Sequence, residues 1–401
     1  MQTIQRLLQM RKEKGVEIAQ KGKITEKNGV WLVPSQTNPR QTYEVNLRLD
    51  KNTCTCEDYK ERGIRCKHQF AVEITISKQF NKDGTTTITQ TKRITYPQNW
   101  KAYNTAQINE QELFMKLLSD LCKEVEEPLY TFGRPKLQLR DMVFSSALKV
   151  YSTFSLRRFM GDTKIAVEKG YINRQSSFTA VGKYMQNEKL TTILNQLITL
   201  SAMPLKNVET KFAVDSSGFR TTKFGEYCKE KHNTKQDHEW IKCHIICGVK
   251  TNIITAVEVG FEHHSADSPQ FIPLVNATAD LGFIMNEVSA DKAYSGVANY
   301  KAVQDVGGQA YIPFRTNATG TRVGNNARLW RRMFWYYQLK QDEFMQHYHL
   351  RSNVESTFFM MKAKFGDLIR SKDRTAQINE LLLKVLCHNI VVVNNEMPKT
   401  F

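Results

Sequence analysis

Hydrophobic and polar positions divide the chain into three stretches with different periods. Through the first hundred residues, short runs alternate: VWLVPS, TYEVNLRLD, FAVEITISKQF and TTTITQTKRITYP, with Asn-Pro and Asp-Gly turn signals between them. Alternation rich in β-branched and aromatic residues predicts strands, so residues 1–100 read as a small β-rich domain. From Asn104 to about Val208, apolar residues recur three and four apart, as in QELFMKLLSDLCKEV and DMVFSSALKVYSTF, with breaks near Gly133-Arg134-Pro135 and at Gly161. That period predicts an all-helical domain over 104–208. Beyond it, the apolar runs KFAVDSS, IKCHIICGV, IITAVEVGF, NEVSADKAY and QAYIPFRTN alternate with helical stretches such as PQFIPLVNATADLG. The order β-β-β-α-β-α-β-α predicts an α/β domain with a mixed sheet over 209–401. The expected class is therefore multidomain α+β.

Composition narrows the partners. The 401 residues are 41% hydrophobic, enough for a sizeable core, and lysine plus arginine exceed aspartate plus glutamate by 57 to 40, a net charge of +17. Such an excess favours a polyanion, nucleic acid first, although a ribosome-associated or membrane-surface protein shows the same balance. No uninterrupted run of about 18 apolar residues appears and the N-terminus lacks the apolar core of a signal peptide, so a soluble, intracellular protein without membrane contact is expected. Of the eight cysteines, three cluster between Cys54 and Cys66. In a reducing compartment the cluster points to a metal and the scattered remainder to core positions.

Cys54-Thr-Cys56, nine residues, then Cys66-Lys-His68 offers three thiolates and one imidazole, a set that suits one tetrahedral Zn²⁺. The alternative is small apolar packing in a strand-rich domain. Two carboxylates stand at strand ends: Asp215 closes the run from Lys211, and Asp291 closes the run from Glu287. Side by side they would repel and call for a hard cation, although either taken alone is more simply a turn residue or helix cap. In QHYHLRSNVESTFFMMKAKFG, Tyr348, Arg351, Glu355 and Lys362 fall at i, i+3, i+7 and i+14, one face of a helix, opposite an apolar stripe of Val354, Phe358, Met361 and Phe365. A surface helix with an Arg351–Glu355 pair fits the same spacing.

The C-x-C…C-x-H arrangement, with YEVNLRLD before it and QFAVEI after it, resembles the SWIM zinc finger over about Thr42 to Ile74, within the domain 1–100. The spacing Y-x2-R-x3-E-x6-K, with AVDSSGF and ADKAYSG around the two aspartates, resembles the DDE transposases of prokaryotic insertion sequences over about Gly133 to Asn389. A SWIM module is not a general feature of those transposases. The resemblance implies an RNase H-like fold for 209–401 and catalysis by Asp215, Asp291 and Glu355. It further implies two divalent ions, Mg²⁺ or Mn²⁺, held by those acids in an in-line phosphoryl transfer that cuts and joins strands. Asp215 would bridge the ions, Arg351 and Lys362 would grip phosphates, and Tyr348 would bond a phosphate or stack on a base. Implied partners are double-stranded DNA, as element ends and target, and a second copy of the chain, since two ends are joined. The implied location is the cytoplasm, on the nucleoid. A nuclease of the same fold that cuts without joining, and a DNA-binding regulator derived from such an enzyme, are the rival readings.

Other stretches add candidates. In ARLWRRMFWYYQLK, Trp330, Trp335, Tyr336 and Tyr337 read as core before they read as a stack for an unpaired base at the element end, and Arg328, Arg331 and Arg332 read as DNA contacts. The segment INRQSSFTAVGKYMQN, after Arg157 and Arg158, reads either as a helix-turn-helix or as ordinary helical packing. Cys243 and Cys247 read as buried thiols on one strand face. His263 and His264 precede Ser265-Ala-Asp267-Ser268-Pro269, where Ser268 reads as an N-cap with Pro269 at N1, and for Asp267 capping is the simpler role and an approach to the metals the sharper one.

Overall fold

The computed structural model describes residues 2–27, 30–38, 40–46, 53–79, 100–129, 132–133, 136–222, 240–261, 267–320 and 324–400. The chain divides into two compact units, Met1–Tyr96 and Pro97–Phe401.

In the first unit, strands β1 (Thr25–Lys27), β2 (Val30–Pro34), β3 (Thr42–Asn46) and β4 (Thr53–Cys54) form an antiparallel sheet in sequence order. Alternation on β2 and β3 buries Trp31, Val33 and Val45, as the pattern predicts. Helices α1 (Gln2–Lys21), α2 (Glu57–Arg62) and α3 (Lys67–Gln79) complete the unit. Two expectations are corrected here. FAVEITISKQF is predicted as a strand, but its described part, Phe70 to Gln79, lies in α3, and the N-terminal helix α1 was not anticipated. The stretch fits both periods, and packing decides between them: His68, Ala71 and Val72 are buried at helical spacing, and α3 lies against α1. That approach is close at Gly15, where an added Cβ would stand 2.7 Å from the Phe70 Cβ. The run TTTITQTKRITYP and its Asp-Gly turn lie outside the described residues.

The second unit opens with α4 (Trp100–Ile108), α5 (Glu110–Lys123), α6 (Leu139–Tyr151), α7 (Met160–Glu168), α8 (Phe178–Tyr184) and α9 (Glu188–Ala202), helical as the period predicts. A five-stranded sheet follows: β5 (Lys211–Arg220), β6 (Trp240–Gly248), β7 (Ile254–Gly260), β8 (Glu287–Ala290) and β9 (Gln309–Tyr311), in the order β7-β6-β5-β8-β9. The first three strands pair antiparallel, whereas β5, β8 and β9 run parallel. This is the mixed sheet expected of the C-terminal region. Between and after the strands come α10 (Ser268–Asp280), α11 (Val297–Asp305), α12 (Ala327–Leu339), α13 (Gln341–Tyr348), α14 (Ser352–Phe365) and α15 (Arg374–Thr400).

Both sheet faces are covered, and β5 sorts its side chains between them. Ala213 and Phe219 join a core with residues of α5, α6, α9, α14 and α15, while Phe212 and Val214 join one with α10, α11 and α12. Leu190, Leu194 and Leu197 of α9 share the first of these cores with the strands, so the expected boundary at 208/209 lies inside one unit. Within α15, Arg374–Glu396 is long and apolar enough to cross a membrane by length and composition, although polar residues interrupt its apolar runs. It is 94% buried, as the core helix of a folded domain is. Its Asn389 accepts from the Ile254 N–H at 3.0 Å and donates to the Ile254 carbonyl at 2.7 Å, tying the helix to β7.

Candidate active site and metal centre

Cys54 ends β4, Cys56 precedes α2, and Cys66 and His68 flank the start of α3. All four are buried, and their ligand atoms lie within 4.8 Å of one another. The His68 Nδ1 stands 3.9 Å from the Cys54 Sγ and 4.0 Å from the Cys66 Sγ. Hydrogen bonding from Cys54 brings the Cys66 thiol down to about 4, while the same bond, together with burial, raises Cys54. One site thus prefers a thiolate before any cation is considered. Three sulfurs and a nitrogen in that volume fit a tetrahedral zinc ion, which would take the thiols as thiolates.

The acidic site rests on strand register. Val214 of β5 is paired with Ala290 of the parallel β8, so Asp215 and Asp291 are the next positions after that pair. Asp291 follows the end of β8 as expected, whereas the expected strand end at Asp215 is corrected, because β5 runs on to Arg220 in its pairing with β6. Each also makes the local bond that a turn residue makes: Asp215 accepts from the Ser216 N–H at 2.9 Å, and Asp291 caps the 3-10 turn Lys292–Tyr294. Glu355 sits in the first turn of α14 with its side chain largely exposed. The expected single helix from Tyr348 to Lys362 is corrected: Tyr348 ends α13, a 3-10 turn spans His349–Arg351, and Glu355 and Lys362 lie on α14. The stripe Val354, Phe358, Met361 and Phe365 is buried as predicted.

At that turn Arg351 joins two of the acids. One guanidinium nitrogen donates to Asp215 and the other to Glu355 at 2.6 Å. Burial pushes the Asp215 carboxyl up, and Asp291 and Glu355 add to the rise against the Ser216 N–H and Arg351. Burial also works against the Arg351 charge, but Asp215, Tyr348 and Glu355 outweigh it and hold its pKa above the ordinary value. The three acids therefore share one field, and that field already draws in a cation. Among the described residues only the Cys54, Cys56, Cys66 and His68 group brings three or more such donors within 4.8 Å, so the carboxylates are spaced more widely with the guanidinium in place. An all-oxygen donor set fits a hard divalent ion.

Lys362 donates to the Ser217 Oγ at 2.7 Å and lies 5.0 Å above the Phe219 ring, on the strand face that carries Asp215. Arg328, Arg331 and Arg332 are exposed on α12. Trp330 is buried and donates to the Thr319 carbonyl at 2.8 Å, so this aromatic residue is core, whereas Trp335 is exposed. Cys243 and Cys247 are fully buried in one core, and burial pushes both thiols up to about 12. Ser177 caps α8 by accepting from the Ala180 N–H at 3.2 Å.

Asp267 corrects an expectation. It occupies the N-cap position of α10 without a side-chain cap bond. Instead it accepts from the Ser216 Oγ at 3.1 Å and pairs with Lys242, which brings it beside the strand that carries Asp215. Ser216 and Lys242 belong to this constellation and were missed; the one available signal was their strand register, Ser216 being paired with His244. His263 and His264 lie outside the described residues.

The acids of this site are thus Asp215 within β5, Asp291 after the parallel β8, and Glu355 on α14. Residues 206–390 match the family model of the transposase DDE domain, and residues 43–77 match that of the SWIM zinc finger. The chain thus carries a transposase DDE domain preceded by a SWIM zinc finger. No curated protein matches it in sequence. Among solved structures, a piggyBac transposase synaptic complex with hairpin DNA, seen by cryo-EM, is similar at 10% identity over 75% of each chain, with a TM-score of 0.34. At that score the likeness carries no argument.

Proposed function

We propose that this protein is a DNA transposase that binds the ends of its mobile element and cuts and joins strands by in-line phosphoryl transfer at Asp215, Asp291 and Glu355. What supports the proposal is the register that sets Asp215, midway along β5, beside Asp291, the residue after the parallel β8, with Arg351 joining Glu355 to Asp215. Two ions, Mg²⁺ or Mn²⁺, held there would lower the pKa of the attacking water or 3′-hydroxyl and neutralise the leaving oxygen.

The residues divide the remaining work. Arg351, with two donors in a planar fork, can exchange carboxylates for a phosphate near the cut. Lys362 adds a point charge one side of Asp215, and Tyr348 supports Arg351 or bonds a phosphate. Exposed Arg328, Arg331 and Arg332 meet the DNA backbone. The helical segment 104–208 reads element ends, residues 209–401 form an RNase H-like catalytic domain, and the zinc module of residues 1–100 adds DNA or protein contacts. Joining two ends needs two copies of the chain. In a prokaryotic host the protein would work in the cytoplasm on the nucleoid.

The test incubates purified protein and Mg²⁺ with the DNA that flanks its own coding region, maps the cuts, and supplies pre-cut ends to read joining. Asp215→Ala, Asp291→Ala and Glu355→Ala are each expected to abolish cleavage and leave DNA binding within about threefold, since only the chemical step loses its ligands. Normal cleavage by any of the three sinks the metal assignment, and cutting without joining favours a nuclease.

A further inference from the structure

A buried lysine in the second unit has no hydrogen-bond partner for its ammonium. Lys149, near the end of α6, is 6% exposed; its carbonyl accepts from the Ser152 Oγ at 3.1 Å, but among the described residues its ammonium makes no hydrogen bond and no close ion pair. Burial lowers its pKa, with Glu380 working against that and Arg370 adding to it. Glu380 is engaged elsewhere: it accepts from the Arg370 N–H at 3.0 Å and from the Ser371 N–H at 2.8 Å and Oγ at 2.7 Å. Lys384 donates to the carbonyls of Gly366 and Leu368, and burial, with Lys149 and Arg370 adding to it and Glu380 and Asp367 opposing, pushes it down to about 8. Positive charge exceeds negative in this part of the core.

Lys149 also lines a cavity of about 450 Å³. Arg370 and Lys372 stand in the same wall, with Leu156 and Met185 as apolar neighbours. The acid in that wall, Asp373, accepts from the Ala376 N–H at 3.0 Å as the cap of α15. Glu380, already bonded elsewhere, only partly offsets the desolvation of this ammonium, and a buried charge so compensated destabilises the fold unless a closer anion completes it. Three cations around one space exceed what a carboxylate needs and suit a phosphate, and the volume with its apolar side accommodates the sugar or base attached to one.

We propose that the cavity lined by Lys149, Arg370 and Lys372 is a phosphate-binding site that takes one nucleotide, with Lys149 as its buried anchor. Two sources supply that chemistry, a nucleotide of the DNA backbone or a free nucleotide. Only the first rests on the function proposed above.

Lys149→Met keeps the length of the side chain and removes its charge. Thermal unfolding of the full chain is followed with inorganic phosphate or dAMP against sodium chloride at equal ionic strength, and affinity for a random-sequence duplex is measured across salt. Without ligand, Lys149→Met is expected to unfold at a higher temperature than wild type, because a buried charge that Glu380 only partly compensates is gone. A DNA source predicts duplex binding about tenfold weaker in the variant, with a salt slope smaller by about one. A free-nucleotide source predicts a phosphate and dAMP shift in wild type that Lys149→Met loses and Lys149→Arg keeps, with duplex affinity unchanged. Equal behaviour of wild type and variant in every arm overturns the site, as does a lower unfolding temperature for Lys149→Met, which would make Lys149 a structural partner of Glu380. A protein that never cuts DNA would sink the transposase reading and leave these readouts intact.

Discussion

Arg351 shows how one side chain can settle the state of a site. Its fork holds Asp215 and Glu355 together, and Asp215 remains raised because burial and two neighbouring acids outweigh that partner. An acid raised in the folded state destabilises the fold once pH exceeds its folded value, because the unfolded chain ionises more readily. Asp215→Asn should therefore melt in EDTA at the wild-type temperature or above it, and should lose the rise in melting temperature that Mn²⁺ gives wild type. A drop of several degrees in EDTA would show that the carboxylate is a structural element of the resting protein. His388 carries the opposite sign. Burial pushes its imidazole down to about 4 against an ordinary 6.5, with the Asn252 carbonyl 2.9 Å from Nε2 opposing the shift. Between those values the unfolded chain binds a proton that the folded chain refuses, so stability is complete above about pH 6.5 and is lost as pH falls towards 4, by at most about 3 kcal/mol. Urea unfolding of wild type and His388→Gln across that window checks this: the wild-type midpoint should fall more steeply, and parallel curves would refute it. At this scale the sequence disclosed which acids to watch, since Asp215 and Asp291 end apolar runs. It did not disclose Arg351 between them or Asp267 on Ser216, because those bonds join residues far apart in the chain.

Elements were legible where a single period fitted. The runs from Lys211 to Tyr311 became β5 to β9 in the expected order because each is short, apolar and bounded by turns. FAVEITISKQF failed that condition, since its β-branched residues satisfy alternation while His68, Ala71 and Val72 satisfy a helix, and only packing on α1 separates the two. The helix that resulted delivers His68, buried beside Cys54 and Cys66, to the metal cluster. Zinc and the α1–α3 contact should accordingly stand or fall together. Gly15→Val would drive side-chain atoms into Phe70 and should cost about 1–3 kcal/mol, as overpacking does. Chelating the zinc from wild type should melt residues 1–96, because ligand binding is folding energy in a module with so small a core. Circular dichroism with a zinc-release dye measures both: the expected result is weaker zinc retention in Gly15→Val than in wild type, and unchanged retention would separate the helix contact from the metal.

For the molecule as a whole, the excess of +17 acquires meaning only from where its charges lie. Several basic groups are occupied: Arg351 by two acids, Lys362 by Ser217, and Lys384 by two carbonyls. Arg328, Arg331 and Arg332 are exposed on a helix whose apolar side, Leu329, Trp330 and Met333, is buried. They can reach a phosphate backbone without giving up an internal bond, whereas the occupied group must exchange partners first. Replacing all three arginines by glutamine should therefore lower the slope of log affinity against log salt by roughly two to three for a random-sequence duplex. Lys362→Gln should change that slope by less than one, because its ammonium begins in a bond to β5 rather than in solvent. A slope unchanged by the triple substitution would mean that DNA lies along another face. Cleavage lost without any change in slope would then place those arginines near the cut instead of along the track.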